Sequence, residues 1–382
     1  MPYHLLEIAL WAITCLCFIA TIYPYLIYPA ILRIAPSKPI AYEQLSAGRG
    51  HEFALLFCAY NEEVGLVDKL RNIRDLRNAF PELEVLAYDD CSTDRTVQML
   101  ESSGLGIRVV HGGQRMGKAH GMKLLASLTE REFLVFTDAN VVLQVEAIDE
   151  LRSYYADPQV GGVCGLLKYV DANRSPVAHA GGLYWRLEER IKSAESHTGN
   201  VMGADGSIFS IRHELYPEFP DTVLDDLTVS MAVIFKRFRL IKASSVVAEE
   251  KLVVSRSDDF RRRLRISTRA YHTHLWMRRE VATLSLGDRW RYWSHRQMRW
   301  LGAYFLTAGS LSGIAAVYSS VSLVAAISVA AGTASLVALG LFWPLGRITA
   351  FVHVVSSVML TGVGVMRALQ GHTVTTWRPP TR

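Results

Sequence analysis

The chain has 382 residues, 50% of them hydrophobic, and a formal net charge of +5; its positive mean hydropathy is high for a soluble protein. The modest positive charge gathers in residues 251–300 beside an apolar run, which fits attraction to anionic lipid heads better than nucleic-acid binding. The five cysteines (Cys15, Cys17, Cys58, Cys91, Cys164) show no CxxC spacing and no histidine at zinc-ligand distance, which excludes a zinc module and reads as reduced cytosolic thiols.

From the N-terminus, residues 8–32 carry no charge, enough at ~1.5 Å per residue to cross a hydrocarbon core of ~30 Å. No basic n-region precedes them, so the segment reads as a membrane span rather than a cleaved signal peptide. Arg33 and Lys38 follow, and the cytoplasmic bias of basic residues places the N-terminus outside and residue 33 onward inside. Uncharged stretches return at 300–346, long enough for two helices with a turn near Ser319-Ser320, and at 348–366. Arg278, Arg279, Arg289, Arg291, Arg296 and Arg299 crowd the approach to them, in agreement with that orientation. If all three C-terminal segments cross, the tail with Arg367, Arg378 and Arg382 ends outside, where basic residues are disfavoured; a re-entrant segment is the other reading. The chain thus divides into an N-terminal transmembrane helix and linker (1–50), a cytoplasmic domain (51–285), and a C-terminal membrane region with its tail (286–382).

Within 51–285, short apolar runs at 53–59, 84–88, 107–111 and 133–137 alternate with helix-like stretches at 62–77, 93–100, 116–128 and 145–154. That alternation predicts an α/β domain, a mostly parallel sheet with helices on both faces, whose ligands sit beyond the C-terminal strand edges. Polar residues follow the runs accordingly: Asn61-Glu62-Glu63, Asp89-Asp90 and Asp138. After about Val160 the alternation loosens. Residues 181–196 have helical spacing, Gly203-Ala204-Asp205-Gly206 is a tight turn before Ile208-Phe209, and 225–235 reads as a helix opening on Asp225-Asp226. An Arg-rich amphipathic helix over 260–277 suits a membrane surface.

Carboxylates spaced in this way at strand ends are what a cleft needs to hold a nucleotide sugar, its metal ion and a catalytic base. Residues 112–118 (GGQRMGK) also satisfy the GxxxxGK part of a phosphate-cradling loop, but Ala119 stands where the Mg²⁺-binding hydroxyl belongs, which argues against a nucleotide hydrolase.

The motifs Cys58-Ala59-Tyr60-Asn61-Glu62-Glu63, Asp89 to Asp94, Gly117-Lys118, Thr137-Asp138-Ala139-Asn140, Gly203 to Ser207 and Asp225-Asp226, in this order, resemble those of the inverting GT-A glycosyltransferases of family 2, in the membrane-bound, polysaccharide-synthase-like branch. The resemblance covers residues 52 to about 270 and implies a GT-A fold, a Rossmann-like nucleotide-sugar-binding domain with transmembrane helices. It implies donor-nucleotide contacts from Ala59, Asn61, Glu62, Asp89, Asp90, Lys118 and Asp138, with Asp90 toward the base. It implies Mg²⁺ or Mn²⁺ at Asp138, where the family's Asp-x-Asp begins; here the second acid is Asn140, a weaker ligand. Asp226 takes the place of the general base, with Asp225, Gly203, Asp205 and Trp185 as acceptor-side candidates, although an aromatic at helical spacing is also what a core requires.

The family's Gln-Arg-x-Arg-Trp motif corresponds to Arg262-Arg263-Leu264-Arg265-Ile266. Arg263 and Arg265 would meet the diphosphate, and the missing Trp favours single transfer over a processive polymerase. The resemblance thus implies an inner-membrane hexosyltransferase of exopolysaccharide or cell-surface synthesis. It would move sugar from a nucleotide-sugar donor, a UDP-sugar first, to a lipid-linked saccharide or polysaccharide acceptor, in contact with membrane lipids and export machinery and with no nucleic acid. Two alternatives remain open: a processive synthase that translocates its polymer, and an inactive scaffold subunit of an export assembly.

Overall fold

The computed structural model describes residues 2–43, 52–170, 176–251, 256–343 and 346–376. Arg378 and Arg382 of the tail lie outside the described residues.

In chain order the strands are β1 (Phe53–Ala59), β2 (Glu84–Asp89), β3 (Arg108–His111), β4 (Phe133–Asp138), β5 (Val141–Leu143), β6 (Val160–Val170), β7 (Ile208–Arg212) and β8 (Arg239–Lys251). They form an eight-stranded sheet in the order β3-β2-β1-β4-β7-β6-β8-β5. The first four run parallel, β7 lies antiparallel between β4 and β6, β6 and β8 are parallel, and β5 closes antiparallel on β8.

The helices α1 (Pro2–Ile22) and α2 (Ile27–Ile34) precede the sheet, and α3 (Glu63–Ala79), α4 (Thr96–Glu101), α5 (Lys118–Ser127) and α6 (Ala147–Tyr155) follow its successive strands. Then come α7 (Pro176–Thr198), α8 (Asp225–Phe235), α9 (Arg256–Trp276), α10 (Arg278–Ala282) and α11 (Leu286–Tyr292). A π-helical turn at Trp293–Gln297 leads into α12 (Met298–Ser320), α13 (Leu323–Phe342) and α14 (Arg347–Leu369).

β1 shows why the sheet is central. All seven of its residues are buried, Ala54, Leu56 and Cys58 in one core and Phe53, Leu55, Phe57 and Ala59 in the other, as helices on both faces demand. The first four strands and their helices fall within a few residues of the predicted spans. β6 and β8 were not expected as long strands. Gly161, Gly162 and Gly165 interrupt β6, yet a Cβ at Gly161 would meet Phe238 and Leu215 at 2.5 and 2.6 Å, so neighbours occupy the space its side chains leave. β8 buries the charged Lys242, which pairs with Glu189 of α7 at 2.6 Å.

Among the described residues four helices are long and apolar enough to cross a membrane: His4–Ile22, Leu286–Ser320, Leu323–Gly340 and Phe351–Leu369. α1 and α12 pack closely, Ser312 Oγ donating to the Leu10 carbonyl at 2.8 Å while Gly309 faces Cys17 without room for a methyl. The turn foreseen near Ser319-Ser320 falls at Val321-Ser322. α14 meets α12 near the start of the latter, Gly362 against Ala303 and Tyr304 Oη on the Gly362 carbonyl, and meets the end of α13 at Gly340 and Val352. The segment after α14 lies on the sheet domain: Thr373 Oγ1 donates to the Thr222 carbonyl at 3.0 Å, and the Thr375 carbonyl rests against Gly117.

Candidate active site

The strand register assembles the site. Ala59 pairs with Asp89 and Cys58 with Asp138, so the ends of β1, β2 and β4 finish at one edge. Both chains leaving β1 and β2 turn there through left-handed residues, Asn61 at φ 51° and Cys91 at φ 66°; Asn tolerates that region better than most. The two turns are stitched together. Asn61 N donates to Ser92 Oγ (3.0 Å), Asn61 Oδ1 accepts from Thr93 N (2.8 Å), and Glu62 N donates to Thr96 Oγ1 (2.8 Å). The Asp89 carboxylate accepts from Ser92 N at 3.2 Å, and Asp94 Oδ1 accepts from Thr96 N at the start of α4. Ala59, Asn61, Glu62 and Asp89 therefore build the wall of the site, and the side chains of Asn61 and Asp89 are engaged in holding it.

Asp90 is fully buried. Its Oδ1 accepts from the backbone amides of Met116 (2.7 Å) and Gly117 (2.9 Å), while Oδ2 lies 3.5 Å from Arg115 Nε and accepts no hydrogen bond. The Arg115 guanidinium in turn covers the Tyr60 ring at 3.4 Å from its centroid. Gly117, at φ 90°, turns the loop so that Lys118 opens α5 toward β4. Lys118 Nζ stands 2.6 Å from Asp138 Oδ1 and 3.3 Å from the Gly206 carbonyl. Burial opposes its charge, but Asp138, Asp225 and Asp226 outweigh burial and raise its pKa.

Gly206 is where the distant acids meet. A methyl added to it would lie 2.9 Å from Asp226 Oδ2 and 3.1 Å from Lys118 Nζ, so Asp138, Lys118 and Asp226 share one small space with the Asp90 loop behind them. Asp226 Oδ1 accepts from Leu227 N at 2.6 Å. Burial, then the neighbouring Asp225, push the Asp226 carboxyl up to about 6 against the pull of Lys118.

α9 corrects one expectation. It is an unbroken helix, and residues two apart on a helix do not face the same way, so Arg263 and Arg265 diverge. Arg263 Nη1 donates to Ser357 Oγ of α14 at 3.1 Å. Arg265 instead stands in the field of Asp138 and Asp225, and burial together with Arg269 and Arg262 lowers it to about 10. Arg262, Arg265 and Arg269 share one face of α9 at helical spacing, and of these Arg265 feels the acids. Arg269 Nη2 donates to the Val223 carbonyl (2.6 Å), and Thr273 Oγ1 accepts from Leu224 N (2.7 Å), the residue that precedes α8. Sequence reasoning missed Arg269 and Thr273, although their spacing from Arg265 at +4 and +8 was there to find.

The acceptor-side candidates separate. Asp205 pairs with Lys192 and adds to the rise at Asp226. Gly203 (φ 101°) has Arg296 and Leu227 against the face where a Cβ would sit. Trp185 is a packing residue: its Nε1 donates to the Leu167 carbonyl at 3.0 Å and its ring meets Tyr169 edge-on. Asn140 Nδ2 donates to Glu250 Oε1 at 2.9 Å. Among the described residues no three His, Cys, Asp or Glu side chains gather as a metal site; the Asp138 carboxylate is part-exposed and, with the Asn140 carbonyl, offers the hard oxygen that a divalent cation prefers.

Residues 55–219 match the family model described as glycosyl transferase family 2. The chain carries a family 2 glycosyltransferase domain. A 121-residue stretch is 30% identical to the 4,4'-diaponeurosporenoate glycosyltransferase of Staphylococcus haemolyticus, covering 30% of this chain and 32% of that protein, so the match spans about a third of the curated relative. A mannosyltransferase from Pyrobaculum calidifontis, solved in complex with GDP-Man and Mn²⁺, superposes with a TM-score of 0.73 at 21% identity, over 94% of this chain and 99% of that one. The fold of the glycosyltransferase domain is GT-A, as the motifs implied.

Proposed function

We propose that the chain is a membrane-anchored inverting glycosyltransferase that moves a sugar from a nucleoside-diphosphate donor to a lipid-linked or polysaccharide acceptor. The observation that carries this reading is the meeting of Asp226 and Lys118 at Gly206, with Asp138 2.6 Å from the lysine. A base and a cationic diphosphate seat stand side by side. Asp226 takes the proton of an acceptor hydroxyl, the oxygen forms its bond to the anomeric carbon from the opposite face, and the sugar–diphosphate bond breaks with its electron pair leaving on phosphate oxygen. Inversion follows from the single displacement.

Asp90 Oδ2, ion-paired with Arg115 but accepting no hydrogen bond, matches an N–H of the donor's base, and the Tyr60–Arg115 stack offers that base a flat neighbour. Lys118 and Arg265 bear on the departing diphosphate. A divalent cation, Mg²⁺ or Mn²⁺, would be held by Asp138 and Asn140 and would neutralise charge on the leaving group. The Pyrobaculum relative's GDP-Man places GDP-sugars beside UDP-sugars as donors to be tested.

For the membrane, α1, α12 and α13 cross, and the glycosyltransferase domain faces the cytoplasm at the inner membrane. α14 touches α12 and α13 at their domain-side ends and is followed by a segment that rests on the domain, which supports a helix lying along the inner boundary beside α9. The membrane-length apolar run of α14 is then the re-entrant one, and Arg367 stays inside.

Membranes carrying the chain, incubated with labelled UDP- and GDP-sugars and Mg²⁺ or Mn²⁺, test the reading. Label should enter lipid or polymer with the native chain and not with Asp226→Asn, and equal transfer by both would refute it.

A further inference from the structure

We propose that a hollow between α2 and α7, on the far side of α7 from the acids, binds the phosphate of an anionic membrane phospholipid through Arg33 and Arg190. The inference rests on α1 being a membrane span and goes beyond the transfer reaction. The hollow measures about 580 Å³. Leu26, Pro29 and Leu187 form its apolar wall and Arg33, Arg190 and Ser193 its polar one. Arg33 and Arg190 are exposed, and neither has an ion pair or hydrogen bond among the described residues. Glu189 also lines the hollow, but Lys242 at 2.6 Å neutralises it.

Position and chemistry agree. α2 follows α1 after a short turn, and Tyr23 Oη lies 2.9 Å from Ser294 Oγ at the entry to α12, so the hollow opens where two spans leave the bilayer. Leu26, 62% exposed, stands on its rim. Guanidinium groups bind phosphate oxygens in forked pairs, while an apolar wall beside them receives the first methylenes of an acyl chain. The occupant is not the acceptor. On α7, Glu188 and Lys192 face His295 and Asp205, whereas Leu187, Ile191 and Ala194 pack on Tyr28 and Leu32 of α2. The helix therefore stands between the hollow and Asp226.

Native mass spectrometry of the full chain in detergent, after back-titration with phosphatidylglycerol or phosphatidylcholine, tests the site. The native chain should retain one phosphatidylglycerol through detergent exchange and no phosphatidylcholine. R33Q/R190Q should weaken retention by about tenfold or more at an unchanged unfolding temperature, with R33K/R190K in between. Equal retention of the two lipids, or a double glutamine variant that binds like the native chain, would overturn the proposal. Full displacement by inorganic phosphate would also overturn it, by assigning the site to a free anion. Donor binding measured on the same double variant should match the native chain. Absence of sugar transfer by the native chain would refute the proposed reaction and leave the lipid measurement standing.

Discussion

Lys118 Nζ lies 2.6 Å from Asp138 Oδ1 and shares the space above Gly206 with Asp226 Oδ2, so one ammonium serves a carboxylate from β4 and is adjacent to a carboxylate from α8. This lysine is the electrostatic hinge of the site. Without a donor it answers the charge of the acids, and in the proposed reaction it answers the diphosphate.

Removing the base should stop chemistry and spare binding. Asp226→Asn is expected to lower kcat by roughly 10²–10⁴-fold, the span typical of a positioned general base. Donor affinity measured by calorimetry should stay within a few-fold of native, and a large loss of donor binding would make Asp226 a binding residue.

The raised Asp226 pKa sets the pH dependence. Protonated below about 6, the carboxyl cannot accept the acceptor's proton, so the rate should climb as pH rises through that value. Stability runs the other way. A carboxyl whose folded pKa exceeds its unfolded value of 3.8 stabilises the fold fully below 3.8, and that stability is lost as pH rises toward 6. Asp226→Asn should therefore melt higher than the native chain at pH 7 to 8, and equal melting curves would refute the shift.

Asp138→Asn removes the carboxylate that a hard cation needs and the partner of Lys118. Titration of Mn²⁺ in the presence of nucleoside diphosphate should show apparent metal affinity weakened by about tenfold or more. Unchanged metal dependence would place the cation elsewhere.

Gly206→Ala should fold and fail. Its methyl would press on Asp226 Oδ2 at 2.9 Å and Lys118 Nζ at 3.1 Å, ends of side chains that move aside. Displacements of about 1 Å at reacting groups cost as much as ~10²-fold in rate. The measurement is kcat beside an unchanged circular dichroism spectrum.

Thr273→Val leaves the backbone N–H of Leu224, at the start of α8, without the acceptor that α9 supplies at 2.7 Å. A stability loss of about 1–3 kcal/mol is expected, with a fall in kcat greater than any change in donor affinity. A variant with native kcat would separate α9 from the placement of the base.

The legible parts of the molecule were those governed by local rules. Phe53 to Ala59 and Phe133 to Thr137 are apolar runs that a doubly covered parallel sheet requires, and Asp225 opens α8 where the sequence placed it. The acids stood out because few residue types perform their chemistry. β6 was hidden by glycines whose missing side chains are replaced by Phe238, Leu215 and Leu240, a tertiary fact. Arg263 and Arg265 part company, the first toward Ser357 and the second toward Asp138 and Asp225, because spacing along a chain becomes facing only once the helix and its phase are known. Asn61 and Asp89 carried a second job, stitching two turns, that a motif does not distinguish from ligand contact.

The Thr375 carbonyl resting on Gly117 has a practical side. Any bulky fusion partner joined just downstream of Thr375 would crowd the loop at Gly117, whereas in the proposed topology one attached ahead of α1 sits across the bilayer from it. Purification handles and reporter proteins therefore belong at the front of the chain if turnover is to be measured.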